Sequence, residues 1–364
     1  MALSRIDTTN MIEDVPQSKL DNNINFRNII INGSMDIAQR GTSTSSLSSG
    51  ANFGATDRFK LFGVTFGTWT MSQSTDVPTG QGFAKSLKMD CTTANGSLSA
   101  DSQAQISQGI EGQNLQYLKK GTSSAESLTW SFWTKSNKTG TYICQIRDID
   151  NSRSISKSYT ISSADTWEKK IITFPGDTTG ALDNNNEKSF EIRWWLVAGT
   201  NFTSGTLATS WASETSANNA VGQVNLADST SNEWYITGAQ LEAGDTSSDF
   251  EFLPVDVNED RCLRYYEATG IVTGAEQANN RIDAWCQFKK IKRSESYSVS
   301  ADTSGVDELA CPGVSSHDIT GINQAIKKTF NGAYLRIDLD GDFPDGEPVT
   351  SYLESNYIRI DDEL

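Results

Sequence analysis

Apolar and polar residues alternate with period two through much of the chain, the pattern of strands that turn one face to a core. In 128–133, Leu128, Trp130 and Phe132 fall on one side and Thr129, Ser131 and Trp133 on the other. In 190–197, Phe190, Ile192, Trp194 and Leu196 face inward by the same rule, opposite Glu191, Arg193, Trp195 and Val197. Further strands are predicted at 29–31, 59–64, 84–89, 141–147, 167–174 and 234–241, separated by polar turns. Two packed antiparallel sheets, a β-sandwich, accommodate them. Helix signals are scarce. One lies at 257–267, where Asp256 or Asn258 is placed to cap and Glu259 and Asp260 suit the positive end of the dipole. A second runs over 322–330 and closes at Asn331-Gly332. Strands at 285–291, 333–339 and 351–360 surround it.

Composition divides the chain. Ser and Thr number 65 in residues 1–250 and 15 in the remaining 114, and Leu253-Pro254 stands at the change. Residues 1–25 hold few large apolar side chains and read as an extended attachment arm. The expected class is therefore mostly β: the arm at 1–25, a sandwich at 26–252, and a smaller, mostly β domain at 253–364 entered through a short connecting helix.

Charge narrows the partners. Thirty Lys and Arg against 46 Asp and Glu leave a net charge of −16, which repels phosphate backbones and anionic headgroups. General nucleic-acid binding is not expected. No run approaches the ~20 apolar residues of a membrane span, and residues 1–10 lack the apolar stretch of a signal peptide. The cysteines (Cys91, Cys144, Cys262, Cys286 and Cys311) are odd in number and contain no C-x-x-C pair, as reduced thiols would be.

Catalytic signals are weak. His317 is the single histidine and sits in a polar stretch, so a hydrolase triad would have to pass through it. No pair of carboxylates is set apart by apolar surroundings as a glycosidase pair would be. We expect no enzyme activity and no cofactor. Asp338, Asp340 and Asp342 alternate as in the first half of a calcium loop, yet Phe343 and Val349 stand where Gly and Glu are needed, and Asp-Gly turns explain the run as well. These three are the candidate metal ligands. Sugar binding needs an exposed aromatic face beside planar polar groups. Trp133 and Trp195 lie on the polar sides of their strands, with Arg193 and Glu191 beside Trp195, and these four are the candidate glycan-binding residues. The alternative is that another chain, a loop or the C-terminal domain covers them.

Several stretches carry a resemblance. Asn28-Ile-Ile-Ile-Asn-Gly-Ser-Met-Asp-Ile-Ala-Gln-Arg-Gly-Thr42 and Thr56-Asp-Arg-Phe59 are two of them. Leu128-Thr-Trp-Ser-Phe-Trp-Thr-Lys-Ser136, Ile236-Thr-Gly-Ala-Gln-Leu-Glu-Ala-Gly244, Phe250-Glu-Phe252 and Arg261-Cys-Leu-Arg-Tyr-Tyr266 are the others. Together with the opening Met1-Ala-Leu-Ser-Arg-Ile-Asp7, they resemble phage virion proteins of the tail-fibre and receptor-binding type, particularly those of marine phages. The resemblance spans residues 1–266. It implies a jelly-roll similar to carbohydrate-binding modules, mounted on a virion as a homotrimer, attached to other virion proteins through residues 1–25 and directed at host-surface polysaccharide. A capsid-surface decoration protein and a glycan-degrading spike are the alternatives. Read from the residues, Asn32-Gly33 supplies a tight turn, and Asp57 and Arg58 are placed to pair where a strand begins.

Overall fold

The computed structural model describes residues 26–269, 272–276, 280–301, 308–311, 315–339, 341, 348–351 and 358–364. The arm expected at 1–25 lies outside the described residues. The first strands are β1 (Ser43–Leu47), β2 (Gly50–Asn52), β3 (Lys60–Val64), β4 (Thr68–Ser74), β5 (Ser86–Thr93) and β6 (Gln103–Glu111). After them come β7 (Leu128–Ser136), β8 (Gly140–Asp148), β9 (Arg153–Ile161), β10 (Glu168–Phe174) and β11 (Lys188–Ala198). The one-turn helix α1 (Thr200–Thr203), β12 (Ala212–Ser213) and β13 (Glu233–Ala243) complete this part. They form an antiparallel sandwich, one sheet in the order β1-β4-β5-β13-β7-β10 and the other β12-β9-β8-β11-β6-β3-β2.

The inward rows of the two sheets meet as the alternation predicts. Trp130 of β7 and Trp194 of β11 are buried edge to face, 4.5 Å between ring centroids, with Phe132 and Phe59 against Trp194. Such pairs add ~1 kcal/mol beyond the area they bury.

Segment 29–31 is not a strand. Ile29 donates to the Leu241 carbonyl (2.8 Å), and the next two amides find side chains in place of a ladder: Ile30 donates to Asn28 Oδ1 (3.0 Å) and Ile31 to Gln108 Oε1 (2.8 Å). Asn32 then turns the chain at φ +59°, and its buried side chain accepts from the Ile37 amide and donates to the Ile37 and Asp57 carbonyls. A Cβ at Gly33 would stand 2.0 Å from the Ala239 carbonyl oxygen, so glycine is required there. Asp57 and Arg58 do not pair with each other. Asp57 accepts from the Gln39 amide and side chain, while Arg58 lies 3.4 Å over the Tyr265 ring, donates to the Gly109 carbonyl and ion-pairs with Glu363.

Helix α2 (Val255–Leu263) opens behind Pro254, earlier than predicted, and neither Asp256 nor Asn258 caps it; the Asn258 amide donates to the Pro254 carbonyl. Just beyond it, Arg264 and the Tyr265 hydroxyl bind the buried Glu111 carboxylate of β6 at 2.6–2.8 Å. Stretches 28–42, 56–59 and 261–266 therefore meet at one buried polar junction between α2 and the sandwich.

The C-terminal part contains β14 (Tyr266–Thr269), β15 (Val272–Glu276), β16 (Arg281–Gln287), β17 (Ser298–Ala301) and β18 (Glu308–Cys311). Next are β19 (Ser315–Thr329), β20 (Gly332–Leu339), β21 (Pro348–Ser351) and β22 (Ile358–Asp361). Strands β15-β16-β20-β19-β18-β21 close into a barrel, and β14-β22-β17 form a small sheet. The core of this part joins Ile282, Ala284, Leu335 and Ile337 of the barrel strands to Phe288, Tyr297 and the small-sheet Ile358 and Ile360. Two sequence expectations change here. Segment 322–330 belongs to β19 and its closing turn, not to a helix. Register shifts between Ile322 and Gln324 and between Ala325 and Lys327 interrupt the alternation, so the core-packed Ile322 and Ala325 stand three apart and mimic helical spacing. The strand expected at 285–291 ends at Gln287, and of 351–360 only the ends are described, in β21 and β22.

Candidate functional site

The four candidate sugar contacts do not form one site. Trp133 lies on the outer face of the six-stranded sheet, whereas Glu191, Arg193 and Trp195 lie on the outer face of the seven-stranded one.

Trp133 is half-buried and lines an open cleft of ~300 Å³. Register places Lys169 of β10 directly across from it, and both residues line the cleft. The other wall is aromatic. Phe83, Phe250 and Phe252 pack with centroids 4.9–5.1 Å apart, and Phe252 is 52% exposed. Their seat is made by Gly238. It sits at φ +61° in the register shift between Thr237 and Gln240, and a Cβ there would meet the Phe83 ring at 2.5 Å. Ser131, Gln81 and Asp249 complete a rim of hydroxyl, amide and carboxylate groups. Beyond Trp133 on the same face, Lys135 lies 4.3 Å from the centroid of the Tyr235 ring and ion-pairs with Asp76, which also accepts from the Trp167 indole (2.9 Å).

Trp195 is a correction. It is fully buried beneath Phe202, Leu207, Ala220, Ala198 and Ile143, because the connection after β11 folds back over this end of the sheet. Its indole donates to Gln145 at 3.3 Å, and it offers no stacking face. Glu191 and Arg193 remain at a separate cleft of ~210 Å³. Burial alone would raise the Glu191 carboxyl. Arg193, Lys188, Lys60 and Arg147 outweigh that and hold it well below the usual carboxylate range.

Phe83, Phe252 and Lys169 were not among the expected contacts. Lys169 was legible, since its place two residues after Trp167 in a predicted strand puts both on the outer face. Phe83 was not, because only the Gly238 irregularity brings it to β13. Of the calcium candidates, Asp338 is the penultimate residue of β20 and ion-pairs with Arg281 at 3.4 Å, while Asp340 and Asp342 lie outside the described residues. His317 stands on β19 opposite Leu309. Among the described residues no group of three or more His, Cys, Asp or Glu is placed to hold a metal, and no helix is long and apolar enough to cross a membrane.

No family model and no curated protein matches the chain. Among solved structures it is similar to the enzymatically active domain of tailspike protein 4 of bacteriophage CBA120, at 15% identity and TM-score 0.31 over 60% of this chain. It spans 21% of that chain's length. It is also similar to TmCBM61 in complex with β-1,4-galactotriose, at 10% identity and TM-score 0.31 over 60% of this chain and 99% of that one. A third is the family 11 carbohydrate-binding module of Clostridium thermocellum in complex with a β-1,3-1,4-mixed-linked tetrasaccharide, at 12% identity and TM-score 0.27, covering 56% and 96%.

Proposed function

We propose that this chain is a non-enzymatic phage virion protein, a tail fibre or receptor-binding appendage whose sandwich binds host-surface glycan in the Trp133 cleft. The observation that carries the binding half is the part-exposed indole of Trp133 in an open cleft, with Lys169, Ser131, Gln81 and Asp249 around it. An apolar sugar face stacks on the ring while hydroxyls meet the rim. The virion half rests on the motifs of residues 1–266. Residues 1–25 would attach the protein to its neighbours on the particle, and the assembly would be a homotrimer.

Carboxylate chemistry supports a binding role over hydrolysis. A glycosidase general acid needs a carboxyl raised in pKa within an open cleft. Among the described carboxylates with a resolved shift, Asp57 alone is raised, by burial, and it is enclosed at the junction with Gln39. Asp76, Glu111, Glu168, Asp177, Glu191 and Asp228 are all held low by cationic and hydrogen-bonding partners that outweigh burial.

The test is a glycan array with the wild-type protein and Trp133→Ala. Loss of an aromatic anchor is expected to weaken binding by ~2 kcal/mol, about thirtyfold. Unchanged binding by Trp133→Ala would remove the cleft, and release of reducing ends from a bound polysaccharide would make the protein an enzyme. Counting copies in cryo-electron micrographs of virions addresses the location. A few copies at the tail are expected, and many on the capsid lattice would make it a decoration protein.

A further inference from the structure

The outer face of the seven-stranded sheet carries a second cleft whose chemistry differs from that of the Trp133 cleft. Three cross-strand rows build it. Lys60, Ser107 and Arg193 are in register across β3, β6 and β11; Phe62, Gln105 and Trp195 form the next row; Gly109, Glu191 and Arg147 form the third. Gly109 carries no side chain, and the Leu364 side chain and the Lys188 stem lie over it. Lys60, Lys188, Arg147 and Arg193 rim the cleft.

One carboxylate serves all four of those cations. Glu191 Oε1 faces Lys188 at 3.3 Å and Lys60 at 3.6 Å, and Oε2 accepts from Arg147 at 3.2 Å and from Arg193 Nε at 2.7 Å. Arg147 has a second partner in Glu214, and Lys60 also donates to the Leu364 carbonyl. The four cations outnumber the side-chain carboxylates of Glu191 and Glu214, and a terminal oxygen of Leu364 takes up part of that excess, in a chain of net charge −16. Lys60, Lys188 and Arg193 accordingly repel one another; burial, Lys188 and Arg193 push the Lys60 pKa down.

Three polar atoms of this lining have no partner. They are Arg147 Nε, Ser107 Oγ and Gln105 Oε1, and Gln105 and Ser107 are both 1% exposed. Leaving such groups unpaired costs ~1–3 kcal/mol each, so the lining lacks an acceptor for Arg147 Nε and a donor for Gln105, whose Nε2 is already committed to Gln103. A bare oxyanion answers the first need only. A sugar acid answers both, its carboxylate accepting from the cations and a ring hydroxyl donating to Gln105 Oε1.

We propose that this cleft binds an acidic sugar unit, with Lys60, Lys188, Arg147 and Arg193 holding the carboxylate and Gln105 and Ser107 a neighbouring hydroxyl. The site extends the glycan-binding reading to a second face and does not depend on Trp133.

Saturation-transfer NMR on the full chain with glucuronate, galacturonate and N-acetylneuraminate, each beside glucose or galactose, and with inorganic phosphate as competitor, tests it. At least one acid is expected to bind at low salt, to lose affinity steeply as salt rises, and to outcompete its neutral counterpart. Lys188→Gln, at a partly exposed cation, should weaken that binding about tenfold, the size of one lost charge-assisted hydrogen bond. Glu191→Gln removes the competing carboxylate and should strengthen it severalfold, a gain that a purely structural Glu191 would not produce. Trp133→Ala should leave it unchanged, whereas that variant is expected to weaken binding at the first cleft about thirtyfold. Acids bound no better than neutral sugars, phosphate bound in preference to every acid, or indifference to Lys188→Gln would each overturn the proposal.

Discussion

Trp133 and Trp195 hold equivalent places in the sequence pattern, each an indole on the polar side of an alternating strand, and the two sheets treat them in opposite ways. Trp133 stays half-open because its register neighbours are Lys169 of β10 and Thr237 of β13, and the register shift at Gly238 seats the three phenylalanines to one side. Trp195 is sealed by the chain between β11 and β13, which brings Phe202, Leu207 and Ala220 onto it. The same contrast separates the clefts: one is aromatic with a mixed polar rim, the other is cationic around a single buried carboxylate. Alternation decides which face a residue takes. What crosses that face decides whether the residue can meet a ligand.

The comparison breaks most easily at the tryptophans. Trp195→Ala empties a filled pocket and should cost ~3–5 kcal/mol in urea unfolding, against less than ~1 kcal/mol for Trp133→Ala. Equal losses would mean that both indoles are structural. Acid comes next. Although burial opposes it, the surrounding cations depress the folded-state pKa of Glu191 below the ordinary 4.5. Its contribution is therefore complete above pH 4.5 and is lost as pH falls below that value, on the order of 2 kcal/mol. A pH series of urea midpoints should show that acid loss in the wild type and a flatter profile in Glu191→Gln, with Trp133→Ala following the wild type. Identical slopes in wild type and Glu191→Gln would place the acid sensitivity elsewhere. The smallest effect is expected at Gly238→Ala, where positive φ and the Phe83 ring together should cost ~1 kcal/mol. Adding Phe83→Ala should recover the steric share, and no recovery would show that the backbone conformation alone requires glycine.

Much of the sandwich was legible in the chain because its strands pack one face each. Strands β3, β5, β7, β8, β10, β11 and β13 all fall on predicted segments. Strand β6 escaped because a polar residue stands in its inward row: Gln108, between Ile106 and Ile110, pairs with both backbone groups of Ile31 at 2.8–2.9 Å. A buried polar side chain in the inward row interrupts the apolar period that marks a half-buried strand. The false helix at 322–330 has the complementary cause, since an irregular strand places inward residues at uneven intervals and loses its period. Of the site residues, Trp133 was found by alternation and Lys169 was within reach of it, while Phe83 depends on Gly238, 155 positions on, and Lys60 and Arg147 reach Glu191 from 131 and 44 positions away.

The sequence by itself determined the β class, the inward row of Trp130, Phe132, Ile192 and Trp194, the place of the connecting helix, and the outward assignment of Trp133, Trp195, Arg193 and Glu191. Those are local consequences of backbone period and side-chain solubility, felt by each segment without its neighbours. Only the tertiary structure decided that Trp195 is covered, that Asp57 and Arg58 turn to separate partners, and that one carboxylate gathers four cations. Coverage and charge balance depend on which strands become neighbours, and that choice is made by the packing of the whole chain.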